Sequence, residues 1–260
     1  MALLLAAIPI ALPAQAGTPV PAAQLVEATP AMWEIRDGDT IIYLFGTFHT
    51  LDGRTAWLGD PIRTAFDRSD ELVLETLVPA DLKTMNSSAG RALAQSDNSK
   101  PFIAHTKTVV SEGRSLGMSV EHGADAVLRR LAEDRGKPVG GLERFEEQLK
   151  ILSNIPSPPP AAAAAAPVPA APVTLNSLLT AWTRGDTRAF STMLAGFEAK
   201  SPTAYRMLIA DRNARWGRWL EQRLHQPGTV FVAVGSGHLA GKDSVQQWLA
   251  RRGITATRVA

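Results

Sequence analysis

The chain has 260 residues, 45% apolar and 20% charged, enough to bury a full core as one large domain or as two halves sharing one. Lys and Arg outnumber Asp and Glu only 27 to 25, so there is no basic excess of the kind that binds phosphates, and nucleic acid is a poor partner. With no cysteine, disulfides, thiolate metal sites and cysteine nucleophiles are excluded, and any metal must be held by His, Asp or Glu.

Residues 1–16, MALLLAAIPIALPAQA, carry no charge and end in Ala14-Gln15-Ala16. That is the shape of a secretory apolar region followed by a small-x-small cleavage site, although the usual opening Lys or Arg is missing. Export to the periplasm or cell envelope is expected from it. The run is too short, and too broken by Pro9 and Pro13, for stable membrane insertion. Residues 17–30 are Pro/Ala-rich and read as a mobile lead-in.

Met32 to Arg36 alternates apolar and polar residues, Asp37-Gly38-Asp39 is a turn, and Ile41 to Phe45 answers it, which predicts a β-hairpin. The second strand runs into Gly46-Thr47-Phe48-His49. Helical spacing follows over Thr55 to Arg68, with Pro61 in the first turn, and then a short apolar strand, Glu71 to Leu74, finishes at Glu75. Strand, GxxH loop, helix and strand make a βαβ unit with parallel strands, so His49 and Glu75 are expected at the carboxyl edge of one sheet.

The reading from Asp81 to Met118 is weak. Gly123 to Gly136 predicts a helix with Asp125 in its first turn. Lys137 to Leu142 predicts a strand ending at Glu143, and a helix through Gln148 and Leu152 follows. Residues 155–173, IPSPPPAAAAAAPVPAAPV, are low in complexity and read as a tether. The expected organisation is therefore one domain in two halves, 31–153 and 174–260, joined by a connector at 154–173.

In the second half, Leu175 to Trp182 and Thr187 to Phe197 predict helices, and Pro202 opens a long one to about Leu224. Arg212 lies within its apolar stripe, where a guanidinium needs a carboxylate partner or must lay its stem on a core edge with its head in water. Val230 to Val234 predicts a strand leaving through Gly235-Ser236-Gly237-His238, before a helix over Val245 to Arg252 and a strand over Ile254 to Val259. This repeats the first GxxH unit.

The expected fold class is α/β, a central and mostly parallel sheet flanked by helices, with two GxxH units meeting at its carboxyl edge. His49, Glu75, Glu143 and His238 then stand at four strand exits, where open α/β sheets bind ligands. Two imidazoles and a carboxylate suit a divalent cation with a position left for water, whose proton a further carboxylate would take. Ser236 is a poor nucleophile, because Val234 stands where a G-x-S-x-G elbow needs glycine. His105, His122 and His225 lack the context of the other two histidines.

Taken in order, GTFH (Gly46 to His49), ELVLE (Glu71 to Glu75), GKPVGGLERFEEQ (Gly136 to Gln148), DRNARW (Asp211 to Trp216) and GSGHL (Gly235 to Leu239) resemble the TraB/GumN family. That family includes the Tiki proteases that cleave Wnt and the bacterial pheromone-shutdown proteins. The resemblance covers about residues 31–260. It implies an erythromycin-esterase/ChaN-like fold and, by the Tiki branch, a divalent-metal-dependent peptidase acting on a peptide or protein substrate. Its metal, manganese or cobalt by the resemblance with zinc as a further choice, would be held by His49, His238 and Glu75. Glu143, Gln148, Arg212 and Asn213 match positions the family usually retains. Glu143 is expected as base or supporting acid, and Arg212 as a group steadying a substrate carboxylate or oxyanion, with Asn213 beside them. Arg144 departs from the family, which often has Thr there, and the Pro/Ala tether is an insertion. The alternative is a non-catalytic haem- or metal-binding protein, as the ChaN-like side of the fold suggests.

Overall fold

The computed structural model describes residues 25–77, 91, 95, 100–156 and 173–260. Its strands in chain order are Val26–Glu27 (β1), Met32–Asp37 (β2), Thr40–Thr47 (β3), Thr55–Ala56 (β4), Glu71–Thr76 (β5), Val139–Glu143 (β6), Gly228–Gly235 (β7) and Ala256–Arg258 (β8). The helices are Asp60–Arg68 (α1), Lys100–Ser115 (α2), Ala124–Asp134 (α3), Phe145–Ser153 (α4), Leu175–Thr183 (α5), Arg188–Lys200 (α6), Pro202–Tyr205 (α7), Asp211–Arg223 (α8) and Val245–Ala250 (α9).

Six strands form the main sheet in the order β6-β5-β7-β3-β2-β8. The four from β6 to β3 are parallel, and β2 and β8 continue the sheet antiparallel. The period-two alternation of strand side chains divides the core in two. Tyr43, Phe45, Leu72, Leu74, Phe231 and Ala233 face one cluster with α1 and α3 to α6, whereas Ile42, Leu44, Val73, Val230, Val232 and Val234 face the other with α8 and α9. The result is a helix, sheet, helix sandwich, as expected for a sheet buried on both faces.

The hairpin forms as expected, its turn closed by Gly38 at φ 53°. Other expectations need correction. Thr55–Ala56 is not helical, because its backbone is taken up by a parallel ladder with Val26–Glu27. The same ladder ties down part of the segment read as a mobile lead-in. The two strands of the first βαβ unit are parallel but not adjacent, since β7 inserts between β3 and β5. The helix expected from Pro202 is interrupted by a π-helical turn at Arg206–Ala210, immediately before α8. Residues 1–16, most of 78–99 and most of the tether lie outside the described residues.

The second core depends on one close approach. A Cβ on Gly217 of α8 would stand 2.2 Å from the Trp248 ring of α9, so Gly217→Ala should cost about 1–3 kcal/mol by overpacking. Gly196, on α6 with open space around it, should instead gain about 0.5–1 kcal/mol as Ala. Urea unfolding of both variants checks this, and equal midpoints would contradict the packing described.

Candidate active site

Four consecutive parallel strands end at the same edge and deliver one polar group each. Glu143 is the last residue of β6, Glu75 the penultimate residue of β5, His238 lies in the 3-10 turn after β7, and His49 follows β3. With strands about 4.8 Å apart, the four meet around the Glu75 carboxylate. His49 Nε2 lies 3.6 Å from Glu75 Oε2, and His238 Nε2 lies 3.4 Å from Oε1. The histidines, nearly two hundred residues apart, thus flank one carboxylate.

Each imidazole is held from behind. His49 Nδ1 is 2.9 Å from Asp125 Oδ1. His238 Nδ1 is 2.6 Å from Asn213 Oδ1, while Asn213 Nδ2 donates to the carbonyls of Asp243 at 2.7 Å and His238 at 3.3 Å. Because the amide nitrogen faces two carbonyls, the amide oxygen faces the ring, so His238 carries its proton on Nδ1 and presents a lone pair at Nε2. Tyr205 O–H donates to Asp243 at 2.9 Å, which steadies this support, and Trp216 lies 4.4 Å from the His238 ring, centroid to centroid.

Arg212 occupies the centre. Its Nη2 donates to Glu75 Oε1 at 2.6 Å and makes a shorter bond to Glu143 Oε1, its Nε donates to Glu143 Oε1 at 2.8 Å, and its Nη1 lies 3.3 Å from His238 Nε2. The guanidinium also lies over the Trp216 ring. Only 2% of Arg212 is exposed and Asn213 is fully buried. Its charge is taken up by protein carboxylates, so the expectation that Arg212 steadies a substrate group gives way to one of holding the carboxylates in place. Asn213 likewise orients His238.

Glycines make the close packing possible. A Cβ on Gly235 would stand 2.9 Å from His49 Nε2 and 3.3 Å from Glu75 Oε2, and one on Gly46 would stand 2.8 Å from Ser236 Oγ. Gly235 N–H donates to Glu75 Oε2 at 3.2 Å. Ser236 Oγ donates to Thr47 O at 2.9 Å, which fits its exclusion as a nucleophile. Gln148 is buried beside the site elements on α4, and its Oε1 lacks a hydrogen-bond partner among the described residues. His122 bonds Ser119 on the surface and His225 is exposed, while the His105 side chain lies outside the described residues.

Asp125 is the member of the cluster that the linear reading missed, since it read only as an acid in a helix's first turn. Its partner lies 76 positions away. The α3 N-terminus packs against the GxxH loop because Gly123 has no side chain, a Cβ there standing 2.1 Å from His49 O, and Ala124 N–H donates to Phe48 O at 3.0 Å.

The cluster separates the two histidines electrostatically. Burial alone would lower His49, but the charge and hydrogen bond of Asp125, then the charge of Glu75, raise it to about 9. Burial lowers His238 to about 3, helped by the charges of Arg212 and His49 and opposed by Glu75. Burial would raise Glu75, but the charges of Arg212, His238 and His49 and the Gly235 N–H bring it to about 2.

The fold and the cluster define an α/β protein with a two-histidine, two-glutamate, one-arginine centre at the carboxyl edge of its parallel strands. The model of the TraB/PrgY/gumN family matches residues 31–101 and 76–258, and the chain belongs to that family. It is similar to the uncharacterized protein YbaP of Escherichia coli (strain K12) and of Shigella flexneri, each 28% identical over 152 residues, covering 54% of this chain and 52% of the relative. The chain spans about half the length of these curated relatives. No solved structure matches.

The shifts predict opposite stability slopes. His49, raised from 6.5 to about 9, contributes stability that is complete below about pH 6.5 and is lost as pH rises through 9. His238 and Glu75, lowered from 6.5 to about 3 and from 4.5 to about 2, contribute stability that is complete above about pH 6.5 and is lost as pH falls toward 2. In chelator-treated protein, Asp125→Asn should flatten the alkaline loss of Tm and leave the acid limb. An unchanged alkaline limb would refute the His49–Asp125 pairing.

Proposed function

We propose that this chain is a divalent-metal-dependent hydrolase of peptide bonds, with His49, Glu75 and His238 as the residues that would hold the metal. The observation that carries this is the aim of both Nε2 atoms at opposite oxygens of one carboxylate, with both Nδ1 atoms tied to oxygens behind. Two donors on one first-row cation, each about 2.1 Å from it, lie about 3–3.5 Å from each other, and the two separations of 3.4 and 3.6 Å are close to that. Oxygen partners on the far nitrogens are the support that metal-bound histidines use. His49 Nε2 is also buried without a hydrogen-bond partner.

One feature opposes the fit. Among the described residues no three His, Asp or Glu close around one point as a preformed metal site does. The physical reason is Arg212, which shares Glu75 Oε1 and faces His238 Nε2. The donors clear of Arg212 are therefore Glu75 Oε2 and His49 Nε2, which would have to release a proton to bind a metal, and His238 would join them only with Arg212 Nη1 withdrawn toward Leu208 O, which it already meets at 3.4 Å.

When bound, the cation would polarise the scissile carbonyl and acidify a water. Glu143 would take the proton. Arg212 bonds only its Oε1, and Oε2 is buried without a hydrogen-bond partner, the Arg215 guanidinium standing 3.5 Å away at the rim. Arg212 holds both glutamates by hydrogen bonds, and Asn213 and Asp125 fix the two rings. The peptide bond as substrate, and manganese or cobalt as the metal, rest on the family resemblance, and export rests on residues 1–16. Among the described residues no helix is long and apolar enough to cross a membrane.

Haem binding is the weaker reading, because His238 is 0% exposed and its Nε2 faces a guanidinium. Metal analysis of purified, unchelated protein should find a bound divalent ion that is lost, with turnover, in His49→Ala and His238→Ala. Asp125→Ala and Asn213→Ala should weaken metal affinity about 10–100-fold. Full metal content and turnover in both histidine variants would overturn the assignment, and a Soret shift on adding haemin would favour the haem reading.

A further inference from the structure

The clustered side chains are buried, and no described strand pairs with the sheet edge nearest Glu143. β6 is the terminal strand, hydrogen-bonded only to β5 within the sheet. Leu72 N–H donates to Pro138 O at 2.9 Å, and Leu72 stands opposite Val139. In a parallel ladder alternate residues turn both backbone groups to the same neighbour, so those of Val139 and Gly141 are directed away from β5. No described residue supplies them with a backbone partner.

Three further features point to an occupant that is itself extended backbone. Gly140 and Gly141 occupy the middle of the strand, with Gly141 exposed, and glycine inside a strand, though it weakens the strand, can mark a place where another backbone approaches closely. The edge carries none of the usual protection between Val139 and Leu142, neither charge nor proline. The opposite edge strand, β8, has only three residues and carries the charged Arg258, two of the features that blunt an edge. An open hollow of about 350 Å³, lined by Leu77, Gly141, Leu142, Glu143, Arg144 and Phe145 among others, continues from this edge to Glu143, whose Oε2 has no hydrogen-bond partner among the described residues and stands 3.5 Å from Arg215.

We propose that an extended peptide adds as a strand to the outer edge of β6, pairing with the backbone of Val139 and Gly141, and that this pairing delivers it to Glu143. Recognition of this kind is through the main chain and tolerates many sequences. The proposal rests on the hydrolase reading for what happens to the peptide, but not for its binding.

The test titrates the whole chain against a mixture of fluorescein-labelled random octapeptides, followed by anisotropy, and against the same mixture N-methylated at every residue. Unmodified peptides should bind and methylated ones should not. Gly141→Pro, which removes an outward N–H where an edge strand tolerates proline, should weaken binding about fivefold or more. Gly196→Ala, on α6 with open space around it and away from this edge, should bind as the parent does. Circular dichroism and Tm establish that both variants fold, and if Gly141→Pro does not, the methylation comparison on the parent chain decides.

Equal binding of methylated and unmodified peptides, no binding at all, or a dimer of this chain abolished by Gly141→Pro would overturn the proposal. Mass spectrometry of the same mixture separates it from the hydrolase reading. Methyl-sensitive binding without cleavage removes the hydrolase and leaves the edge, whereas cleavage with methyl-insensitive binding does the reverse.

Discussion

The structure of the site depends on a single buried cation. Arg212 binds Glu75 and Glu143 at once, and without it two carboxylates would be buried close together with no guanidinium between them. Burial opposes charge on all three groups, and their mutual attraction returns it only if the geometry is good. The planar guanidinium supplies that geometry through Nε and Nη2 on Glu143 and Nη2 on Glu75, where a lysine would offer one point of charge. The two histidines are set around this pair, one neutral beside the guanidinium and one drawn toward protonation by Asp125. One carboxylate therefore faces two imidazoles in different protonation states.

The scaffold brings this about by sheet order more than by local sequence. β7 lies between β3 and β5, so the second GxxH loop emerges between the first and Glu75. Gly235 stands opposite Thr47 in the ladder, with no side chain to keep His49 from Glu75. The π-helical turn before α8 precedes Arg212 and Asn213 directly, and such turns are frequent at functional sites. Trp216, one turn further along α8, walls off both His238 and Arg212.

Much of this was legible in the linear chain. The strands alternate clearly, and their exits carry His49, Glu75, Glu143 and His238, so period-two patterning and the GxxH repeat place the cluster at one edge. An arginine inside an apolar helix stripe needed either an acceptor close by or a path for its head to water, and Arg212 has two carboxylates. Three things were not legible. Insertion of β7 between β3 and β5 is long-range pairing, which no window of sequence encodes. The strand at Thr55–Ala56 is too short to show alternation and exists only because Val26–Glu27 pairs with it. Asp125 looked like any acid in a helix's first turn, because its role comes from Gly123 letting α3 lie against the His49 loop.

The central claim is that Arg212 holds the site by compensating two buried carboxylates, and unfolding free energies test it directly. Arg212→Met should destabilise the protein by about 3–5 kcal/mol, the usual cost of leaving buried charges unpaired. Adding Glu75→Gln and Glu143→Gln to the same chain should restore most of that loss. A cost below about 1 kcal/mol, the scale of an exposed pair, or a triple variant no more stable than Arg212→Met, would contradict the account.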